Sequence, residues 1–168
     1  MLIGGIDPGK RGAVVIVDSE STKGWFTKLE YDDEGILTTP LKTFCKDVHS
    51  LTIEWIHGRG GWGAKQNFMM GFYFGQLLHV IKATKKPYEL IIPKDWTKVM
   101  HADIADIDKK LAKEKSVLAY QKLFPHDPIG FSRGKKAYHD GVIDAFLIAA
   151  FAILRQNGKL RKWRFDKR

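Results

Sequence analysis

Three short β-rich runs open the chain, each ended by turn-forming residues, and this beginning constrains the fold more than any other feature. Met1 to Asp7 is apolar and is broken by Asp7-Pro8-Gly9. Gly12 to Val17 forms a second run, and Trp25 to Glu30 a third. Strands joined by such short turns fold back on themselves, which predicts an antiparallel start to a sheet. The pattern then changes to alternation. A helix is expected from Pro40 to His49, a strand from Leu51 to Ile56, an apolar helix from Asn67 to Thr84 and a strand from Tyr88 to Ile92. Between the first strand of this series and the helix after it, His57 to Gln66 carries Gly58, Gly60, Gly61 and Gly63 and should be a mobile loop. Pro93 to Ile107 is ambiguous. An amphipathic helix is expected from Asp108 to Phe124, a loop from Phe131 to Tyr138, and a last helix from His139 to Gln156, stopped by Asn157-Gly158. The expectation is an α/β protein with a mixed five-stranded central sheet flanked by helices.

A chain of 168 residues is about one domain in size. We read residues 1–156 as that domain and 157–168 as a basic tail. The formal net charge of +9 attracts polyanions, chiefly nucleic acid or an anionic membrane. A spanning helix is not expected, because the longest apolar stretch, Val142 to Leu154, is too short and contains Asp144. The start of the sequence also lacks the pattern of an export signal. One cysteine, Cys45, excludes an internal disulfide and a multi-cysteine zinc site, which fits a reducing, cytoplasmic setting.

Four acids stand where acids are costly unless used. Asp7 ends the first strand, Glu54 interrupts an apolar strand, and Asp140 and Asp144 open a helix that continues almost wholly apolar. Each has a purely structural explanation. Asp7 could be a turn former in Asp-Pro-Gly, and Glu54 could face water from an edge strand. Asp140 and Asp144 could be placed against the positive end of a helix. Those explanations must hold separately, whereas one assumption covers all four: the acids converge on divalent metal. Residues four apart share a helix face, which puts Asp140 beside Asp144. Oxygen ligands favour Mg²⁺, with Mn²⁺ as a substitute, and two such ions can drive phosphodiester hydrolysis.

Gly5-Ile6-Asp7-Pro8-Gly9 followed by Gly12, Ile53-Glu54 at a strand end, and His139-Asp140-Gly141-Val142-Ile143-Asp144-Ala145 resemble the three acidic motifs of the RuvC-type Holliday-junction resolvases, in the RNase H-like superfamily. Gly75-Gln76, and Pro93 with Trp96, add weaker points of likeness. The similarity runs in order over residues 1–155 and is strongest to the compact phage and bacterial members. It implies a two-metal site of Asp7, Glu54, Asp140 and Asp144, and a nuclease that resolves four-way DNA junctions by paired nicks in a bacterial or phage-infected cell. One departure matters. The bacterial family spaces its last two ligands three apart, and here that earlier position is Gly141. Asp140 is taken as the ligand, with His139 as the alternative.

For DNA, Lys10 and Arg11 flank the first acid, and Arg133, Lys135 and Lys136 precede the last pair. Arg59, Trp62 and Lys65 lie on the glycine-rich loop, where Trp62 or His57 could probe a junction. The tail interleaves Trp163 and Phe165 with lysines and arginines and could stack on bases. The middle helix is apolar too widely for one buried stripe, from Phe68 through Phe72 to Ile81. Its second face would be covered by a second copy in a two-fold dimer, or by this chain's own helices. The other readings are a broader branch or flap nuclease, a transposase-type domain, or a non-catalytic junction-binding module. An actin-like ATPase would need two such domains. A DEDD-type exonuclease would need an acid where Gly9 stands.

Overall fold

The structure, a computed structural model, describes residues 1–9, 11–20, 24–32, 35–36, 38–58, 60–104, 112–123 and 140–158. Strands β1 (Leu2–Asp7), β2 (Ala13–Asp18) and β3 (Gly24–Lys28) form the expected antiparallel meander. A two-residue hairpin, β4 (Tyr31–Asp32) with β5 (Gly35–Ile36), follows. Then come α1 (Thr38–Phe44), β6 (Ser50–Glu54), α2 (Ala64–Ala83), β7 (Tyr88–Ile91), α3 (Pro93–Met100), α4 (Ala112–Leu123) and α5 (Asp140–Asn157). The main sheet has the order β3-β2-β1-β6-β7, with β6 parallel to both β1 and β7. It is the mixed five-stranded sheet expected. Among the described residues no helix is long and apolar enough to cross a membrane.

Alternation along the strands makes two cores. Ala13, Val15 and Val17 of β2 point to one face with Ile3 and pack under α3, α4 and α5. Val14 and Ile16 point to the other, with Ile6, Leu51 and Ile53, and pack under α1 and α2. Helix α5 lies across β1 and β2 and buries every residue from Gly141 to Ile153 except Asp144. Its close approach depends on Gly5. A Cβ there would lie 2.1 Å from the Ala145 carbonyl oxygen and 2.4 Å from the Ala149 nitrogen.

Several boundaries moved for local reasons. The first helix ends at Phe44, where the backbone tightens into turns bonding Lys46 to Thr43 and Val48 to Cys45 before β6 begins. Helix α2 begins at Ala64, inside the expected loop, with Gly63 in extended geometry as its cap. The ambiguous stretch contains a helix. Pro93 fits its first turn, where a missing N–H costs nothing, and Trp96 and Met100 on one face are buried.

Candidate active site

The parallel register pairing Ile6 with Ile53 continues so that the ends of β1 and β6, Asp7 and Glu54, stand side by side. Ile3 and Gly5 face α5, so Asp7 does too. Leu51 and Ile53 face α2, which turns Glu54 the other way, toward α5 and α3. β6 is flanked by β1 and β7, so Glu54 is not an edge-strand residue facing water.

The turn after Asp7 is locked to the start of α5. The Gly9 N–H donates to Asp7 Oδ1 at 3.0 Å, and the Gly12 N–H to the Gly9 carbonyl at 2.7 Å. A Cβ on Gly141 would fall 2.0 Å from the Arg11 carbonyl oxygen, so no side chain fits there. Position 141 is the contact point between α5 and the Asp7 turn. Asp140 and Asp144, one helical turn apart, share a face of α5 next to that contact.

Asp144 is the electrostatic centre. Burial pushes its carboxyl up to about 7, and the negative charge of Asp7 adds to the effect. The nearby Ser116 hydroxyl opposes the shift, while Glu54 and Asp140 raise it further. All four acids therefore share one field. Asp144 Oδ1 is wholly buried and has no hydrogen-bond partner among the described residues. An unsatisfied buried carboxylate oxygen among three other acids is costly unless a cation is meant to meet it.

The other acids are held by neighbours. Glu54 Oε1 accepts a hydrogen bond from the Trp96 indole at 3.0 Å. Asp140 pairs with Lys113, which is 80% exposed, so the pair is worth at most about 1 kcal/mol and is readily exchanged. Among the described residues, no three His, Cys, Asp or Glu side chains stand close enough to form a ready ion cage. The donor set nonetheless suits a hard divalent ion: carboxylate oxygens only, one of them orphaned and buried.

Of the residues expected to meet DNA, Arg11 is exposed on the Asp7 turn and Lys65 is exposed in the first turn of α2. Trp62 is half-buried before α2, and its carbonyl accepts from Asn67 Nδ2 at 3.2 Å. His57 is exposed. Lys10, Arg59, Arg133, Lys135, Lys136, the alternative ligand His139 and the tail from 159 lie outside the described residues. The sequence reading gave no role to Tyr31, whose buried hydroxyl is pushed up by burial and then by the charge of Asp7. It sits on the short hairpin with its ring 4.8 Å from that of Tyr73. Its aromatic character carried no signal of that position. Ser116, buried on α4 and close enough to Asp144 to affect its charge, carries no such signal either, because a polar residue in a helix reads as surface.

No family model and no curated protein sequence matches this chain. Solved structures do. RuvC of Thermus thermophilus in complex with a Holliday-junction substrate superposes with a TM-score of 0.63 at 15% identity, covering 96% of this chain and 99% of that one. A second Thermus thermophilus RuvC structure gives 0.58 at 16% identity over the same shares. A fowlpox virus resolvase bound to junction DNA, at 0.41 and 8% identity, is too distant to add to the argument. The coverage leaves little of either RuvC chain unmatched, and the mixed sheet with its flanking helices has the same layout. This chain has the fold of the RuvC-type Holliday-junction resolvases, an RNase H-like fold.

Proposed function

We propose that the protein is a metal-dependent endonuclease that resolves four-way DNA junctions. The observation that carries this reading is the buried, unpartnered Asp144 Oδ1 at the meeting point of β1, β6 and α5, within the field of Asp7, Glu54 and Asp140. Asp7, Glu54, Asp140 and Asp144 would hold the divalent cations, Mg²⁺ or Mn²⁺. Bound there, two such cations would supply activation of a water and stabilisation of the leaving oxygen. The chain itself does the holding. The Gly9 N–H orients Asp7, the Trp96 indole orients Glu54, and α5 presents Asp140 and Asp144 from a buried, rigid helix. Hydrolysis would join the water oxygen to phosphorus and break its bond to the 3′ oxygen, leaving a 5′-phosphate and a 3′-hydroxyl.

The basic residues Lys10, Arg11, Arg59, Lys65, Arg133, Lys135 and Lys136 would bring the phosphates to that site, with Trp62 beside the crossover. Branched DNA is the substrate class because the similar RuvC structure is bound to a Holliday junction. A homodimer would place two sites on the near two-fold junction. Phe68 and Phe72, 70% and 42% exposed and stacked on each other along α2, are the surface such a partner would cover.

The test is cleavage of matched four-way, flap and linear duplexes in Mg²⁺ or EDTA. Paired, ligatable nicks confined to the four-way junction and abolished by EDTA are expected. Equal cutting of flaps would make it a broader branch nuclease. Tight junction binding with no cutting in Mg²⁺ or Mn²⁺ would make it a non-catalytic module.

A further inference from the structure

One of the four acids is met by a cation of the chain itself. Lys113 Nζ pairs with Asp140 Oδ2, joining the first turn of α4 to the first turn of α5 across 27 residues of sequence. Nothing local calls for a lysine there. The first turn of a helix is its positive end, which favours acids and disfavours bases. Asp140 obeys that rule on α5, and Lys113 breaks it on α4. The pair is also uneven in burial, with the lysine side chain 80% exposed and the aspartate 31%. A long stem in water brings a point charge to the carboxylate and can withdraw it without disturbing the fold. The acids, meanwhile, are not closed on one another: among the described residues no three His, Cys, Asp or Glu side chains form a ready ion cage.

Resting on the functional reading above, we propose that Lys113 is a tethered stand-in for the divalent cation at Asp140: the cation must displace it to bind, and until then it screens the acids from incoming DNA phosphates. Both roles follow from one position. An ammonium and a hard divalent ion seek the same carboxylate oxygens, so each competes with the other. A carboxylate paired with lysine carries little net charge, whereas a bare one beside Asp7, Glu54 and Asp144 adds to the repulsion of a phosphate. Because the pair is exposed, its hold is weak, and losing it should change an affinity by no more than about fivefold. That weakness suits a group that has to yield. Lys122 supplies a matched comparison on the same helix. It is also exposed and also pairs with an aspartate, Asp103 at 3.1 Å, but that acid is not one of the four.

The experiment is calorimetric titration of Mn²⁺ into the full-length protein without DNA, alongside four-way junction binding in EDTA. The two measurements should move in opposite directions. Lys113→Ala should bind Mn²⁺ about two- to fivefold more tightly than wild type, and bind the junction in EDTA more weakly by a similar factor. Lys122→Ala removes the same charge from the same helix and should gain no Mn²⁺ affinity. Lys113→Arg, which keeps a cation at the position, should show neither the gain nor the loss. Mn²⁺ affinity in Lys113→Ala no tighter than in Lys122→Ala would overturn the proposal. So would Lys113→Ala binding the junction in EDTA as tightly as Lys122→Ala does. The two readings fail differently. If neither wild type nor Lys113→Ala binds Mn²⁺ and Asp144→Asn cuts normally, the metal site itself is wrong, and the stand-in with it. If Asp144→Asn abolishes Mn²⁺ binding and cleavage while Lys113→Ala binds Mn²⁺ like wild type, only the stand-in role is wrong.

Discussion

Among the described residues, helices α2 and α5 are the two longest, at 20 and 18 residues, and both read as strongly apolar. They do opposite work. α5 is buried along nearly its whole length, and the one residue of its central stretch that is not fully buried is Asp144. α2 buries Phe74, Leu77, Val80 and Ile81 in its second half, while Phe68 and Phe72 in its first half face outward. A helix apolar on all sides is expected to be enclosed, and α5 is. In α2 the excess apolar surface, Phe68 and Phe72, is the working face that the proposed dimer would use. The same composition is enclosed in one place and left exposed in the other, where the proposal gives it a partner to meet.

The contrast is most sharply tested by truncating a phenylalanine in each helix. Phe146→Ala removes a fully buried ring of α5 that packs edge-on against Tyr120, and should cost about 3–5 kcal/mol in chemical denaturation. A cost below about 1 kcal/mol would mean that α5 is not the scaffold.

The acid on the scaffold should be a liability for folding. The Asp144 carboxyl is held near 7 against an ordinary value of 3.8, so the folded state keeps a proton that the unfolded chain releases. Without metal, this contribution is fully present below pH 3.8 and is lost as pH rises through about 7. Asp144→Asn should therefore stabilise the protein in EDTA at pH 8 by on the order of 2–4 kcal/mol, with the gain shrinking toward pH 5. Denaturation curves at the two pH values check this, and a variant less stable than wild type at pH 8 would contradict it.

The smallest stability effect should come from the working face. Phe68→Ala should change the unfolding free energy by no more than about 0.5 kcal/mol. Sedimentation of Phe68→Glu with Phe72→Glu should show a monomer where the wild-type protein is a dimer. A wild-type protein that is monomeric both alone and on junction DNA would remove the dimer from the account.

Much of this was legible in the sequence, and the failures have physical reasons. The meander was readable because turn residues punctuate it, and the pairing of Asp140 with Asp144 because helical spacing is local. That Asp7 neighbours Glu54 depends on a parallel register between strands distant in sequence, which no local pattern encodes. The β4–β5 hairpin was missed because two-residue strands have no period. α3 was left open because its eight residues mix a buried face of Trp96 and Met100 with lysines. The contact of Gly141 with the Arg11 carbonyl was invisible, although it explains why a ligand cannot stand at that position. Ser116 looks like a surface residue of α4 until the structure buries it near Asp144.

The central claim is that acids from β1, β6 and α5 form one metal-dependent cutting site. Its most direct test compares Asp144→Asn with the wild-type protein on a four-way junction, with binding measured in Ca²⁺ and cleavage in Mg²⁺. Asparagine keeps the size of the side chain and removes the charge a Mg²⁺ ligand needs. The account predicts junction binding at least as tight as wild type and a loss of nearly all cleavage. Cleavage at the wild-type rate would contradict it.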